Sequence, residues 1–368
     1  MATPRTEMVD WVMAQRVGEM VAGSSSSGGL HVASVQPLAH DFAQKVSKYS
    51  RLSLTSELPV LEMVDRPAWI KANLKSIRSV QGLLGEQFDR KSANMSSFVR
   101  PASRLFLGAQ IGALTGVLSQ RVLGQYDLSL LDAEVRPRLL LLAPNLAAAA
   151  NNLAVDRDEL VLWVSIHEIT HAVQFSGAPW LRDHLGGMLR ELLGGVEVLA
   201  AEHQRGAAGS RWPKISSVAD VRDLVEKAKR GELLRLTLGD DLWQVFGRMQ
   251  ATMSLVEGHA EHTMDAVGAE YLPSLSRLRV AMSARRESQS HGLPWRVLES
   301  LLGLKLKRQQ YEVGKRFCDA VVSEGGPRAL GRVWTDPSTL PSAEELASPE
   351  LWIERTRLRG WRKYFPGA

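Results

Sequence analysis

The sequence is almost free of cysteine, which excludes a fold held together by disulfide bonds. Its 368 residues contain one cysteine, Cys318, so no intrachain disulfide can form. Such a composition is typical of proteins in a reducing cytosol. The first apolar segment, residues 8–21, is interrupted by Asp10, Arg16 and Glu19, whereas a secretory signal has an uncharged core. We therefore expect a cytoplasmic protein.

The sequence also lacks an apolar run long enough to cross a membrane. The longest uncharged segment, residues 105–120, falls short of the ~20 residues that a membrane span needs. Within it, Gly108, Gly112 and Gly116 recur every fourth residue. Because glycine destabilises a helix by about 1 kcal/mol per position, this stripe indicates the close approach of a second helix. We expect a buried helix over residues 101–123 and no membrane partner.

Strong charge of one sign is absent as well, since the formal net charge is only +5. The segment 276–290 carries Arg277, Arg279, Arg285 and Arg286, which leaves a nucleic-acid-binding protein open as an alternative. These arginines are not interleaved with aromatic residues and no known docking motif surrounds them. Since a charge run usually forms a solvated face, we expect no nucleic-acid partner.

What the sequence does contain is His-Glu-x-x-His, at residues 167–171. On an α-helix, positions four apart lie on one face, so His167 and His171 can direct both imidazoles at one zinc ion. Glu168 lies at the edge of that face, where a carboxylate can take a proton from a water that the metal activates. The alternative is a helix whose two histidines face the core and bond to neighbouring side chains.

The flanking residues predict that this motif lies in the middle of a helix. Asp156 is placed as the N-cap, with Glu159 three residues later as in a capping box. Gly177 and Pro179 are placed to end the helix. The two histidines therefore fall within a capped helix of about five turns.

The rest of the chain is rich in helical patterns, and residues 138–143 are its best strand candidate. No long linker divides the sequence. We expect one integrated, mainly α unit over residues 1–368. It has possible lobes at residues 1–135 (N-terminal helical), 136–270 (zinc-site core) and 271–368 (C-terminal helical).

Two histidines do not complete a catalytic zinc site, which uses three protein ligands. A nearby third histidine is missing, because Gln174, Gly177 and Trp180 follow His171. Glu257 is the best candidate, on a helix predicted over residues 241–270.

The residues around Glu257 offer further roles. Glu261 lies one helical turn away, where it can accept an N–H from a zinc-binding histidine and fix the ring's orientation. Gly258 leaves room beside the metal or the substrate. His259, His262 and Asp265 are rival ligands, and His262 could instead stabilise an oxyanion.

At these residues the sequence resembles the zincin superfamily, and more narrowly the gluzincins, which carry His-Glu-x-x-His on one helix and a glutamate on the next. The Glu-Gly-x-Ala pattern at Glu257 is similar to the third-ligand motif of the gluzincin aminopeptidases. In gluzincins an acidic residue at the position of Glu261 orients a zinc histidine. The resemblance implies zinc, an α+β zincin-like fold, and a small edge sheet beside the motif helix. In that fold the strand before the helix, here residues 138–143, pairs with extended substrate.

A closer resemblance extends over nearly the whole chain. The motifs that carry it are Asp10-Trp11, Asp65-Arg66-Pro67-Ala68-Trp69, His167 to His171, Glu257 to His262, and Gln310-Tyr311-x-x-Gly314. In these motifs the sequence resembles a bacterial zincin-like metallopeptidase family whose members are often labelled as associated with deazaflavin-coenzyme biosynthesis. The family implies a peptidase fold and supplies no substrate.

The combined expectation is a zinc-dependent metallopeptidase that acts on a peptide or small amide. Zinc is held by His167, His171 and Glu257, and Glu168 is the general base. His262 or Tyr311 is a neutral donor to the oxyanion. The alternatives are a catalytically silent zinc-binding scaffold or regulator, and a zinc hydrolase of another small amide or ester. The sequence leaves the oligomeric state open.

Overall fold

Helices dominate the fold, and one small sheet accompanies them. The structure is a computed structural model and describes residues 9–24, 35–92, 99–132, 134–204, 232–288 and 305–357. The predicted mainly α class with a small sheet is confirmed. The helices are α1 (Trp11–Ala22), α2 (Ala39–Ser50), α3 (Arg66–Ser92), α4 (Val99–Ser119), α5 (Ala143–Leu153), α6 (Arg157–Gly177), α7 (Trp180–Gln204), α8 (Glu232–Gly268), α9 (Leu275–Ser288), α10 (Lys305–Gly331), α11 (Ala343–Ala347) and α12 (Pro349–Arg357).

The sheet has three strands, β1 (Leu61–Val64), β2 (Gly124–Asp127) and β3 (Arg138–Leu142), in the order β1-β3-β2. β3 pairs with β1 in parallel and with β2 in antiparallel register. Its four leucines are fully buried, so the strand prediction for this segment is confirmed. The prediction that this strand pairs with substrate is wrong, because both of its edges are occupied by other strands.

Close packing of α1 against α4 explains the stripe of glycines in α4. A Cβ atom on Gly116 would lie 2.6 Å from the backbone oxygen of Gly18. Cβ atoms on Gly108 and Gly112 would overlap the backbone carbonyls of Asp10 and Ala14. The predicted approach of a second helix is therefore confirmed. None of the described helices has the length and apolarity that a membrane crossing requires.

The chain divides into two compact units. The first comprises Met1–Phe42 and Glu57–Ala172, and the second comprises Ala43–Ser56 and Val173–Ala368. The first unit contains the sheet, and its core includes Trp69, Ile70, Leu140 and Leu142 with alanines of α1. The lobe boundaries expected from the sequence stay a prediction.

In the second unit, α8 and α10 pack with their backbones in direct contact. A Cβ atom on Gly258 of α8 would overlap backbone atoms of Gly314 and Lys315 on α10. A Cβ atom on Gly314 would in turn overlap the carbonyl of Ser254. Gly258 is therefore needed for helix packing, and the room expected from the sequence faces α10 rather than a metal or a substrate.

Candidate metal centre

Helix α6 carries His-Glu-x-x-His in its middle, as the flanking residues predict. The Asp156 carboxylate accepts a hydrogen bond from the backbone N–H of Glu159 at 2.9 Å, which caps the first turn. Leu160, Val164 and Ile166 are buried along the helix. The apolar contacts and the cap fix α6, so the two histidines are presented from a rigid element one turn apart.

The two imidazoles converge through the same ring nitrogen. The Nε2 atoms of His167 and His171 lie 3.2 Å apart, and the ring planes meet at 89°. Two nitrogens bound to one tetrahedral zinc ion at 2.0–2.1 Å would be separated by about 3.3–3.4 Å. The spacing of these two ring nitrogens therefore fits a shared zinc ion closely.

Glu257 completes a set of three potential ligands. His167, His171 and Glu257 each offer one ligand atom, and these three atoms lie within 4.8 Å of one another. Across the described residues, this is the one group of three such side chains that gathers in this way. Two nitrogens and one carboxylate oxygen form a donor set that suits zinc.

Glu168 is buried, with 6% of its surface exposed. Its Oε2 accepts a hydrogen bond of 2.7 Å from the backbone N–H of Tyr126 in β2. The side chain also lies against the backbone of Gly124, in the same strand. The carboxylate is thus held by an edge strand, a contact that no sequence pattern indicated.

On α8, the rival ligand His259 has a different environment. It is almost fully buried, and its Nδ1 accepts a hydrogen bond of 2.9 Å from the side-chain amide of Gln174. The same amide nitrogen donates to the backbone oxygen of Val256 at 2.8 Å. The ring also contacts Trp334 edge-on. These contacts indicate a packing role for His259.

His262, the predicted oxyanion donor, bonds through both ring nitrogens. Its Nδ1 lies 2.6 Å from a carboxylate oxygen of Asp319, and its Nε2 lies 2.7 Å from the hydroxyl of Tyr49. Burial lowers the pKa of His262, although the hydrogen bond to Asp319 opposes this shift. Burial also raises the pKa of Tyr49. Sequence reasoning missed Tyr49 and Asp319, which lie far from His262 in the chain.

Three further residues were predicted to belong to the site or to compete for the metal: Glu261, Asp265 and Tyr311. Glu261 is buried, with 7% of its surface exposed, and its bond to a zinc-binding histidine stays a prediction. Asp265, a rival ligand, forms ion pairs with Arg279 and Lys315. The side chain of Tyr311 lies outside the part of the chain that the structure describes.

Comparisons with known proteins found a matching family and a similar solved structure. Residues 9–353 match a family model described as zincin-like metallopeptidase. The chain is also similar to a solved structure from Chloroflexus aurantiacus, reported as a proposed hydrolase with a novel fold. The two share 27% sequence identity with a TM-score of 0.65, and the match covers 96% of this chain and 100% of the other. No curated protein matches.

Proposed function

Because the chain belongs to the zincin-like metallopeptidase family, we propose that it is a zinc-dependent hydrolase of a peptide or amide bond. The observation that carries this proposal is the cluster of His167, His171 and Glu257, whose ligand atoms lie within 4.8 Å of one another. Catalytic zinc sites combine such a set of three protein ligands with a fourth position for water.

In this proposal the ligands hold the ion and Glu168 moves the proton. When bound, zinc lowers the pKa of a water molecule and polarises the substrate carbonyl. Glu168 accepts the proton of the attacking water and returns it to the leaving amine. Burial of its carboxylate and the bond from Tyr126 support this role, because both restrict its motion. Glu261 orients one of the zinc-binding imidazoles.

His262 is proposed to donate to the oxyanion that forms when water attacks the carbonyl. Its lowered pKa favours the neutral ring at rest. With the Nδ1 proton shared with Asp319, the Nε2 atom accepts from Tyr49. Both nitrogens of the neutral ring are engaged in this way, so donation from Nε2 requires a second proton and a charged ring, in contrast to the neutral donor predicted from the sequence.

The test is to digest a peptide library with the zinc-loaded protein and its Glu168→Gln variant. We expect the variant to bind one zinc ion per chain, measured by mass spectrometry of the metal, and to lose at least about 100-fold in kcat. Asp158→Asn, the same change of charge at an exposed position of α6, is the matched control and should keep full activity.

Three outcomes would contradict or change the proposal. Undiminished hydrolysis by Glu168→Gln would exclude Glu168 as the base. Stoichiometric zinc in the wild-type protein, with no cleavage of any peptide, would instead support the alternative of a zinc-binding scaffold. Cleavage of small esters or amides alone would move the substrate class away from peptides.

A further inference from the structure

Strand β2 directs two of its residues toward the open edge of the sheet. The backbone N–H of Leu142 donates to the oxygen of Leu123 at 2.9 Å, which makes these two residues a hydrogen-bonded pair. Hydrogen-bonded pairs alternate along an antiparallel ladder, so Gln125 is in the next such pair. Gly124 and Tyr126 therefore point their backbone N–H and C=O groups away from β3.

The carboxylate of Glu168 occupies this open edge. Its Oε2 accepts the outward-facing N–H of Tyr126 at 2.7 Å. A hydrogen bond to a charged acceptor is stronger than one between neutral groups, and burial strengthens it further. The bond connects the middle of α6 to β2, within the first unit.

Gly124 provides the space that the carboxylate fills. A Cβ atom at this position would lie 2.7 Å from Oε1 of Glu168, 2.8 Å from its Cγ and 2.6 Å from Cγ1 of Val164. Non-bonded carbon atoms rest about 3.5–4.0 Å apart, so these atoms would have to move. Val164 is buried, and the carboxylate is the far end of the longer side chain. Any side chain at Gly124 would therefore displace the carboxylate first.

We infer that Gly124 is a positioning residue for Glu168, and that its bare Cα and the N–H of Tyr126 together fix where the proposed base lies. The inference rests on the proposed function, because it takes Glu168 as the group that accepts the proton. Neither Gly124 nor Tyr126 contributes a side chain to this contact, so both act on Glu168 through the backbone of β2. A substitution at Gly124 should slow turnover while leaving the zinc ligands in place.

Amide hydrogen exchange tests the contact without any assay of activity. The chain has five tyrosines, so labelling with ¹⁵N-tyrosine gives five amide signals, and the Tyr126→Phe variant identifies the one of interest. In the zinc-loaded protein we expect the Tyr126 amide to exchange at least tenfold faster in Glu168→Ala and in Gly124→Ala than in wild type. The other tyrosine amides are internal controls. Equal exchange of Tyr126 in wild type and Glu168→Ala would overturn the inference.

Kinetics on a library peptide that the wild type cleaves then separate positioning from general damage. Gly124→Ala should lower kcat at least tenfold and change KM and zinc affinity by less than twofold. In a Glu168→Gln background, Gly124→Ala should reduce the residual rate no further, whereas a merely structural defect would reduce it again. In the double variant Gly124→Ala/Val164→Ala, the contact of the new Cβ with Val164 is relieved and its contact with Glu168 remains. Recovery of kcat there would show that Val164, and not Glu168, carries the effect, and would count against the inference.

A second variant covers the case in which Gly124→Ala does not fold. Tyr126→Pro removes the N–H that faces the open edge, a position where proline is tolerated because no ladder bond is lost. It should reproduce the loss of kcat, and Tyr126→Phe should not. If the wild type cleaves no peptide, the proposed function fails, and the exchange data still decide whether β2 positions Glu168.

Discussion

Replacing two glycines of helix α8 by alanine should change stability in opposite directions. Gly247 has open space around it, since a Cβ atom there would meet nothing within 4 Å. Gly247→Ala should stabilise the protein by about 0.5–1 kcal/mol, because glycine loses more conformational entropy on folding than alanine. Gly258→Ala should destabilise the protein, although it makes the same chemical change on the same helix.

The magnitude for Gly258→Ala follows from its contact with α10. The three atoms nearest to an added Cβ are all backbone atoms, and the Cα of Gly314 would lie 2.6 Å away. Carbon atoms rest about 3.5–4.0 Å apart, and the carbonyl carbon of Gly314 would lie even closer than its Cα. The two helices must therefore separate locally by more than about 1 Å. Overpacking of this kind costs about 1–3 kcal/mol. Because all three contacts are with backbone atoms, which cannot rotate away, the upper part of this range applies, about 2–3 kcal/mol. Subtracting about 1 kcal/mol for the gain in helix propensity leaves a net loss of roughly 1–2 kcal/mol.

Urea unfolding measures both variants, and zinc binding provides a second measurement. The unfolding midpoint should rise for Gly247→Ala and fall for Gly258→Ala. Because Glu257 precedes Gly258 in the chain, separation of the helices should also weaken zinc binding, measured by competition with a chelator. Equal shifts of the midpoint in the same direction would refute the packing argument.

Three further predictions concern single groups. Glu257→Gln should weaken zinc binding at least about tenfold in a chelator competition, because it removes the anionic ligand. Cys318 is fully buried, and burial raises its pKa, so a thiol reagent should label the protein only after unfolding. Burial lowers the pKa of His262 below its ordinary 6.5, against the opposing bond to Asp319. The native state therefore disfavours the protonated ring, whereas the unfolded state binds the proton near pH 6.5. The free energy of unfolding should fall as the pH drops from 6.5 through the lower pKa of the native state. Over this pH range, the urea concentration at the unfolding midpoint should fall less for His262→Asn than for the wild type.

The part of the candidate centre that was predictable is local in sequence. His167 and His171 are one helical turn apart, and the N-cap Asp156 is three residues from its partner Glu159. Helical periodicity and capping rules therefore predict both features. The glycine stripe of α4 likewise predicts a close helix contact, because its spacing alone places Gly108, Gly112 and Gly116 on one face. These features depend on a single helix and need no knowledge of its neighbours.

The part that was not predictable depends on which elements become neighbours. The strand at residues 138–142 was found from its apolar run, but its central place in the sheet depends on β1 and β2. Both of those strands are four residues long. The donor to Glu168 is a backbone N–H, which every residue except proline carries, so nothing in the sequence marks Tyr126 for this role. Tyr49 and Asp319 meet His262 through contacts that span long stretches of chain.

Both acidic residues of the proposed site, Glu257 and Glu168, depend on a glycine whose role was set by its neighbours in the fold. In the second unit, the lack of a side chain at Gly258 lets α8 and α10 touch, and Glu257 is the preceding residue. In the first unit, the lack of a side chain at Gly124 leaves space for the Glu168 carboxylate. The two glycines should therefore separate the functions of the acids. Alanine at Gly258 should act on stability and zinc affinity, whereas alanine at Gly124 should act on the rate of turnover.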